Sequence, residues 1–137
     1  MIKSVTIHGL RGFGKERTIN FAIPNGIQGS GLTILVGSNN TGKTTISEAI
    51  RSFNSTKDNP PSFSERKRNI KCENGKVHLK LQTDTDEIYT IDTIANGGST
   101  TVMRKDGAQD DTWWEGPKTF VLQSRRFVEY EFNQSYM

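Results

Sequence analysis

The residues Gly37-Ser38-Asn39-Asn40-Thr41-Gly42-Lys43-Thr44 have the types and order needed to hold a polyphosphate. They fit G-x-x-x-x-G-K-[ST] at every fixed position. The glycines let the backbone turn tightly and approach phosphate oxygens. Successive backbone N–H groups then form a concave anion site. A helix that starts at the loop's end adds the positive end of its dipole. Lys43 is expected to reach the β- and γ-phosphates. The Thr44 hydroxyl is expected to ligate a Mg²⁺ ion bridging them. A chance match in so short a chain has a probability on the order of 1% or less.

Such a loop works only between a strand and a helix, and the flanking sequence has that form. Leu32 to Val36 is a short, nearly continuous apolar run, as in a strand covered on both faces. After Gly42 the period changes. Ile46, Ala49, Ile50 and Phe53 fall at i, i+3, i+4 and i+7, which gives a helix one apolar face. Upstream, Val5 and Ile7 alternate with polar residues, as do Ile19, Phe21 and Ile23, so two half-buried strands are expected. Leu10-Arg11-Gly12-Phe13-Gly14 turns between them, and Pro24-Asn25-Gly26 closes the second.

Residues 54–69 are polar, with Pro60-Pro61 and the cluster Glu65-Arg66-Lys67-Arg68, and read as a mobile surface loop. Asn74-Gly75 is a hairpin-turn signal. Val77, Leu79 and Leu81 alternate, a strand follows around Ile88 to Ile94, and Asn96-Gly97-Gly98 turns into Thr100 to Arg104. An antiparallel meander over 70–106 is therefore expected. Phe120-Val121-Leu122 reads as a core strand within 107–137. The fold class is α/β: part of a RecA-like P-loop core over 1–53 with an antiparallel β subdomain attached.

The chain has 137 residues, a net charge of +3 and one cysteine, Cys72. A single thiol neither staples a fold nor builds a zinc site, which points to a reducing compartment. No apolar run approaches the roughly 20 residues that span a bilayer, and the start lacks a signal-peptide core. A cytoplasmic protein with no membrane partner is expected. His8 and His78 have no metal-ligand spacing, and no Ser-His-Asp or Cys-His set stands out.

Ile2-Lys3-Ser4-Val5-Thr6-Ile7-His8-Gly9-Leu10-Arg11-Gly12-Phe13, followed by the phosphate loop and Ser47-Glu48-Ala49-Ile50, resembles the opening of ABC-type ATPases of the SMC, RecF and OLD families. The resemblance covers about the first 53 residues. It implies ATP with Mg²⁺ as the cofactors. Arg11 matches a turn arginine that approaches the phosphates, and Asn39, Asn40, Thr41, Gly42, Lys43, Thr44 and Thr45 match the phosphate cradle after Gly37. Gln123 matches a Q-loop glutamine that senses Mg²⁺ and the attacking water. With Lys43 it makes the catalytic pair, and with Thr44 the metal pair. Gln123-Ser124-Arg125-Arg126-Phe127 is similar to a segment of OLD-like and defence-associated AAA-type ATPases, with Gln in place of Pro. The resemblance further implies a homodimer or assembly of ATPase heads, DNA or a nuclease as partner, and a role in repair or defence against phage.

The family's acidic strand and its serine-glycine signature are not found. Asp86-Glu87 follows polar residues and reads as a turn, and Asp110-Asp111 fails the same test. The stretch thus reads as the N-terminal portion of a longer ATPase, or as one whose second half another chain supplies. Nucleotide binding without appreciable turnover by these residues alone is expected. A non-catalytic module that keeps ATP as a structural ligand stays open. A small kinase or GTPase is disfavoured. Asn59 stands where the base-reading Asp of Thr56-Lys57-Asp58-Asn59 would be, and two strands precede the loop. Arg66-Lys67-Arg68 and Arg125-Arg126 fit either DNA phosphates or solvated loops. Trp113-Trp114 fits either a partner surface or packing under a turn.

Overall fold

The computed structural model describes residues 1–37, 42–55, 59–69, 71–72, 75–95 and 97–109. Within them the chain forms β1 (Ile2–His8), β2 (Arg17–Asn20), α1 (Lys43–Ser52), a 3₁₀ turn (Glu65–Lys67), β3 (His78–Thr83), β4 (Ile88–Ala95) and β5 (Gly97–Lys105). The strands make one five-stranded antiparallel sheet in the order β2-β1-β3-β4-β5. Turns join β1 to β2, β3 to β4 and β4 to β5, the connection antiparallel pairing allows, whereas β2, α1 and the 3₁₀ turn lie between the neighbours β1 and β3.

Alternation decides which face each strand buries. In β3, Leu79, Leu81 and Thr83 are buried while His78, Lys80 and Gln82 are partly exposed. Val5 pairs with Leu81 and Ile7 with Leu79, and on the other side Tyr89 and Ile91 continue the two rows. Helix α1 lays Ala49 and the following Phe53 on this surface, with Ile46 and Ile50 at its margin. The apolar helical face and the 70–106 meander are both as the sequence indicates.

Four expectations need correction. The run from Leu32 to Val36 is not a strand. It has no regular structure, and Leu32, Ile34 and Val36 are 69%, 72% and 89% exposed. Apolar content alone makes no strand without a neighbour for its backbone groups, and no described strand pairs with it. β1 is buried on both faces from Ser4 to Ile7, because it lies inside the sheet and its Thr6 hydroxyl sits 2.9 Å from that of Thr18. The polar stretch 54–69 is tethered in part. Phe63 is in the core, and the Thr101 hydroxyl donates to the Pro61 carbonyl at 3.0 Å. Gly75 has positive φ, but Asn74 lies outside the described residues, and Lys71 and Cys72 before it belong to no strand that could be a hairpin partner. The Phe120–Leu122 strand, Gln123, Arg125-Arg126, Asp110-Asp111 and Trp113-Trp114 lie outside the described residues.

On the sheet face opposite Leu79, His78 stands directly across from Asp92, Nδ1 to Oδ1 2.5 Å. The hydrogen bond to this carboxylate raises the imidazole above its ordinary value of 6.5, against burial, which lowers it. A raised folded-state value means the pair contributes stability fully below that ordinary value and loses it as pH rises through the folded one. Thermal melts across this window should therefore show a decline that His78→Gln abolishes. An identical pH slope in the variant would show that the pair contributes nothing.

Candidate functional site

The segment between β1 and β2 is a compact turn. Gly9 N–H donates to Phe13 O at 2.7 Å, and Phe13 N–H donates to Leu10 O at 3.0 Å. Gly9 has φ +84°, and a Cβ there would lie 1.9 Å from the Lys76 carbonyl oxygen, so only glycine fits between the strand ends. Arg11 adopts φ +47°, a left-handed conformation unusual for a side-chain-bearing residue. Its backbone is held from both sides: its N–H donates to Lys67 O at 2.5 Å, and the Asn69 amide donates to its carbonyl at 2.6 Å. These bonds offset a conformational cost of about 1–2 kcal/mol.

The turn faces the start of α1. Gly42 is the helix N-cap, at φ +98°, with no side chain capping the first amides. Those amides are left to solvent or a ligand. A Cβ on Gly42 would come within 3.2 Å of the Phe13 ring, so aromatic ring and loop are fitted to each other. The Lys43 ammonium donates to the Gly37 carbonyl, tying the two described ends of the loop. Thr44 is exposed, whereas Thr45 is only 4% exposed and mostly packed inward. Asn39, Asn40 and Thr41 lie outside the described residues, as does Gln123.

An open cleft of about 1470 Å³ lies between these parts, lined by Arg11, Gly12, Phe13, Gly42, Lys43, Thr44 and Thr45. Lys15, Arg17, Arg66, Arg68, Asn69 and Lys71 line it as well, and among the described residues no carboxylate does. The structure thus brings Arg11 and the described half of the loop into one cavity. It adds basic residues from β2 and from 66–71 that sequence reasoning did not assign to the site. The cluster at 65–68 was visible as charge, but its docking against the turn depends on the Leu10–Arg68 bridge, which no local pattern signals. Cleft and capless helix start suit a polyphosphate: uncompensated positive charge, free amides and a backbone that can come close.

Behind Arg11 a second, smaller cavity of about 620 Å³ runs along α1, and Arg11 and Thr44 line both. Glu48 holds the boundary. Its Oε2 is 3.0 Å from Arg11 Nη2, and its Oε1 is 2.7 Å from Lys67 Nζ. Lys67 of the basic cluster is therefore committed to an ion pair. Glu48 had a readable signal, since it stands at i+4 from Thr44 on the same helix.

Replacing Gly42 tests the fit of loop to turn. Gly42→Ala forces a side chain into positive φ and against Phe13, and urea denaturation should show a loss of at least about 1 kcal/mol. Unchanged stability would mean the loop relaxes freely.

A family model described as an AAA domain matches residues 4–136. No curated protein matches the chain closely enough to count as a relative. The match spans nearly the whole sequence and includes the phosphate loop, the helix after it and the sheet from Ser4 of β1 onward. It supports an ATPase-type nucleotide-binding function. The chain belongs to the AAA domain family.

Proposed function

We propose that this chain binds ATP with Mg²⁺ as part of an ABC-type ATPase head of the SMC, RecF or OLD kind. The observation that carries the reading is the cleft at the start of α1, where Lys43, Arg11 and the capless helix amides meet with no carboxylate among the described lining residues. Lys43 exchanges the Gly37 carbonyl for phosphate oxygens, and the Thr44 hydroxyl, already exposed, is the metal ligand this chain offers. The ion itself neutralises charge on the β- and γ-phosphates. Phe13 forms an apolar wall beside the loop.

In the complete assembly, ATP joins two heads, and the partner is nucleic acid or a nuclease, in repair or in defence against phage. The motif resemblance and the basic cleft support this wider role. Cytoplasmic residence fits the single cysteine. Among the described residues no helix is long and apolar enough to cross a membrane.

Calorimetric titration tests the core claim. ATP with Mg²⁺ should bind, EDTA should weaken it, and Lys43→Ala should lower affinity by about tenfold or more, the loss of one charge-assisted contact. GTP run in parallel reads base preference. Heat-silent titrations with no thermal shift, or binding indifferent to Lys43→Ala, would remove the proposal.

A further inference from the structure

We propose that Glu48 is a positioning residue for nucleotide binding: it holds the Arg11 guanidinium at the mouth of the phosphate cleft. The proposal rests on nucleotide occupying that cleft. Its basis is the arrangement around one carboxylate. Glu48 has the least exposed side chain of the three, at 19%, against 42% for Arg11 and 41% for Lys67. It projects from α1, which begins at Lys43, so the anchor and the cleft residues Lys43, Thr44 and Thr45 belong to one helix. Lys67, which does not line the phosphate cleft, takes the other oxygen and keeps the carboxylate balanced. Arg11 contributes a single nitrogen to the pair. A guanidinium has five N–H donors in a fixed fork, more than one carboxylate oxygen engages, so others can serve a phosphate.

The contact between Arg11 and Glu48 is close enough for an ion pair, yet Oε2 has no aligned hydrogen bond although it is buried. The carboxylate thus holds the guanidinium by charge and leaves its orientation adjustable. The turn fixes the Arg11 backbone through Lys67 and Asn69, so both ends of this long side chain are anchored. A side chain ordered before binding loses less entropy when the phosphate arrives.

The sign of one substitution separates this role from bulk electrostatics. Removing a negative charge near an anion site favours the anion by Coulomb's law. Glu48→Gln should therefore tighten ATP binding if charge alone matters. Positioning predicts the reverse: a loss of roughly three- to tenfold. Glu48→Asp keeps the charge and withdraws it by one methylene, so it should also weaken binding. In an Arg11→Ala background neither change should cost anything further, and Lys67→Ala should leave affinity within about twofold. Apo melting curves confirm that each variant is folded. If wild type binds ATP and Lys43→Ala abolishes it, but Glu48→Gln and Glu48→Asp bind as well as or better than wild type, the positioning role is wrong and the nucleotide reading stands. Losses that persist undiminished in the Arg11→Ala background would also overturn it. If wild type binds no nucleotide, both fall.

Discussion

The backbone at Gly42 is the point on which the site depends. Its left-handed φ brings the chain into α1 with the first amides unpaired, and the Phe13 ring fills the space a side chain would need. Phe13 is there because the turn after β1 closes on itself through Gly9 and Leu10. That turn is fixed because β1 is an interior strand, buried on both faces and paired on both edges. The chain of dependence runs from apolar alternation in β1, to a rigid turn, to an aromatic ring, to the exposure of a few N–H groups.

Charge is arranged with equal economy. The cleft collects cations from the turn, from β2, from α1 and from the segment after the 3₁₀ turn. A carboxylate, Glu48, sits just behind them and is shared by two bases. The helix that presents the amides thus also carries the acid that orders the cleft's rim.

Local periodicity made much of this legible. The face of α1 and the strands β3 to β5 each depend on residues a few positions apart, where spacing and burial agree. Contacts between distant segments were not legible. Phe63 looked like part of a polar loop, though its ring joins a core formed by β1, β3 and α1. The meeting of Arg11, Glu48 and Lys67 spans three segments of different structure. The 32–36 run misled in the opposite direction. Its composition suits a strand, but composition specifies only a preference for burial, and pairing needs a neighbour's backbone.

Crowding so many like charges into one cleft has a thermodynamic side. Lys15, Arg17, Lys43, Arg66, Arg68 and Lys71 repel one another with no acid among the described lining residues, and that self-repulsion opposes the compact state. Any polyanion that settles there relieves it and favours the folded chain by mass action. For any polyanion the cleft accepts, occupancy and foldedness are therefore linked quantities.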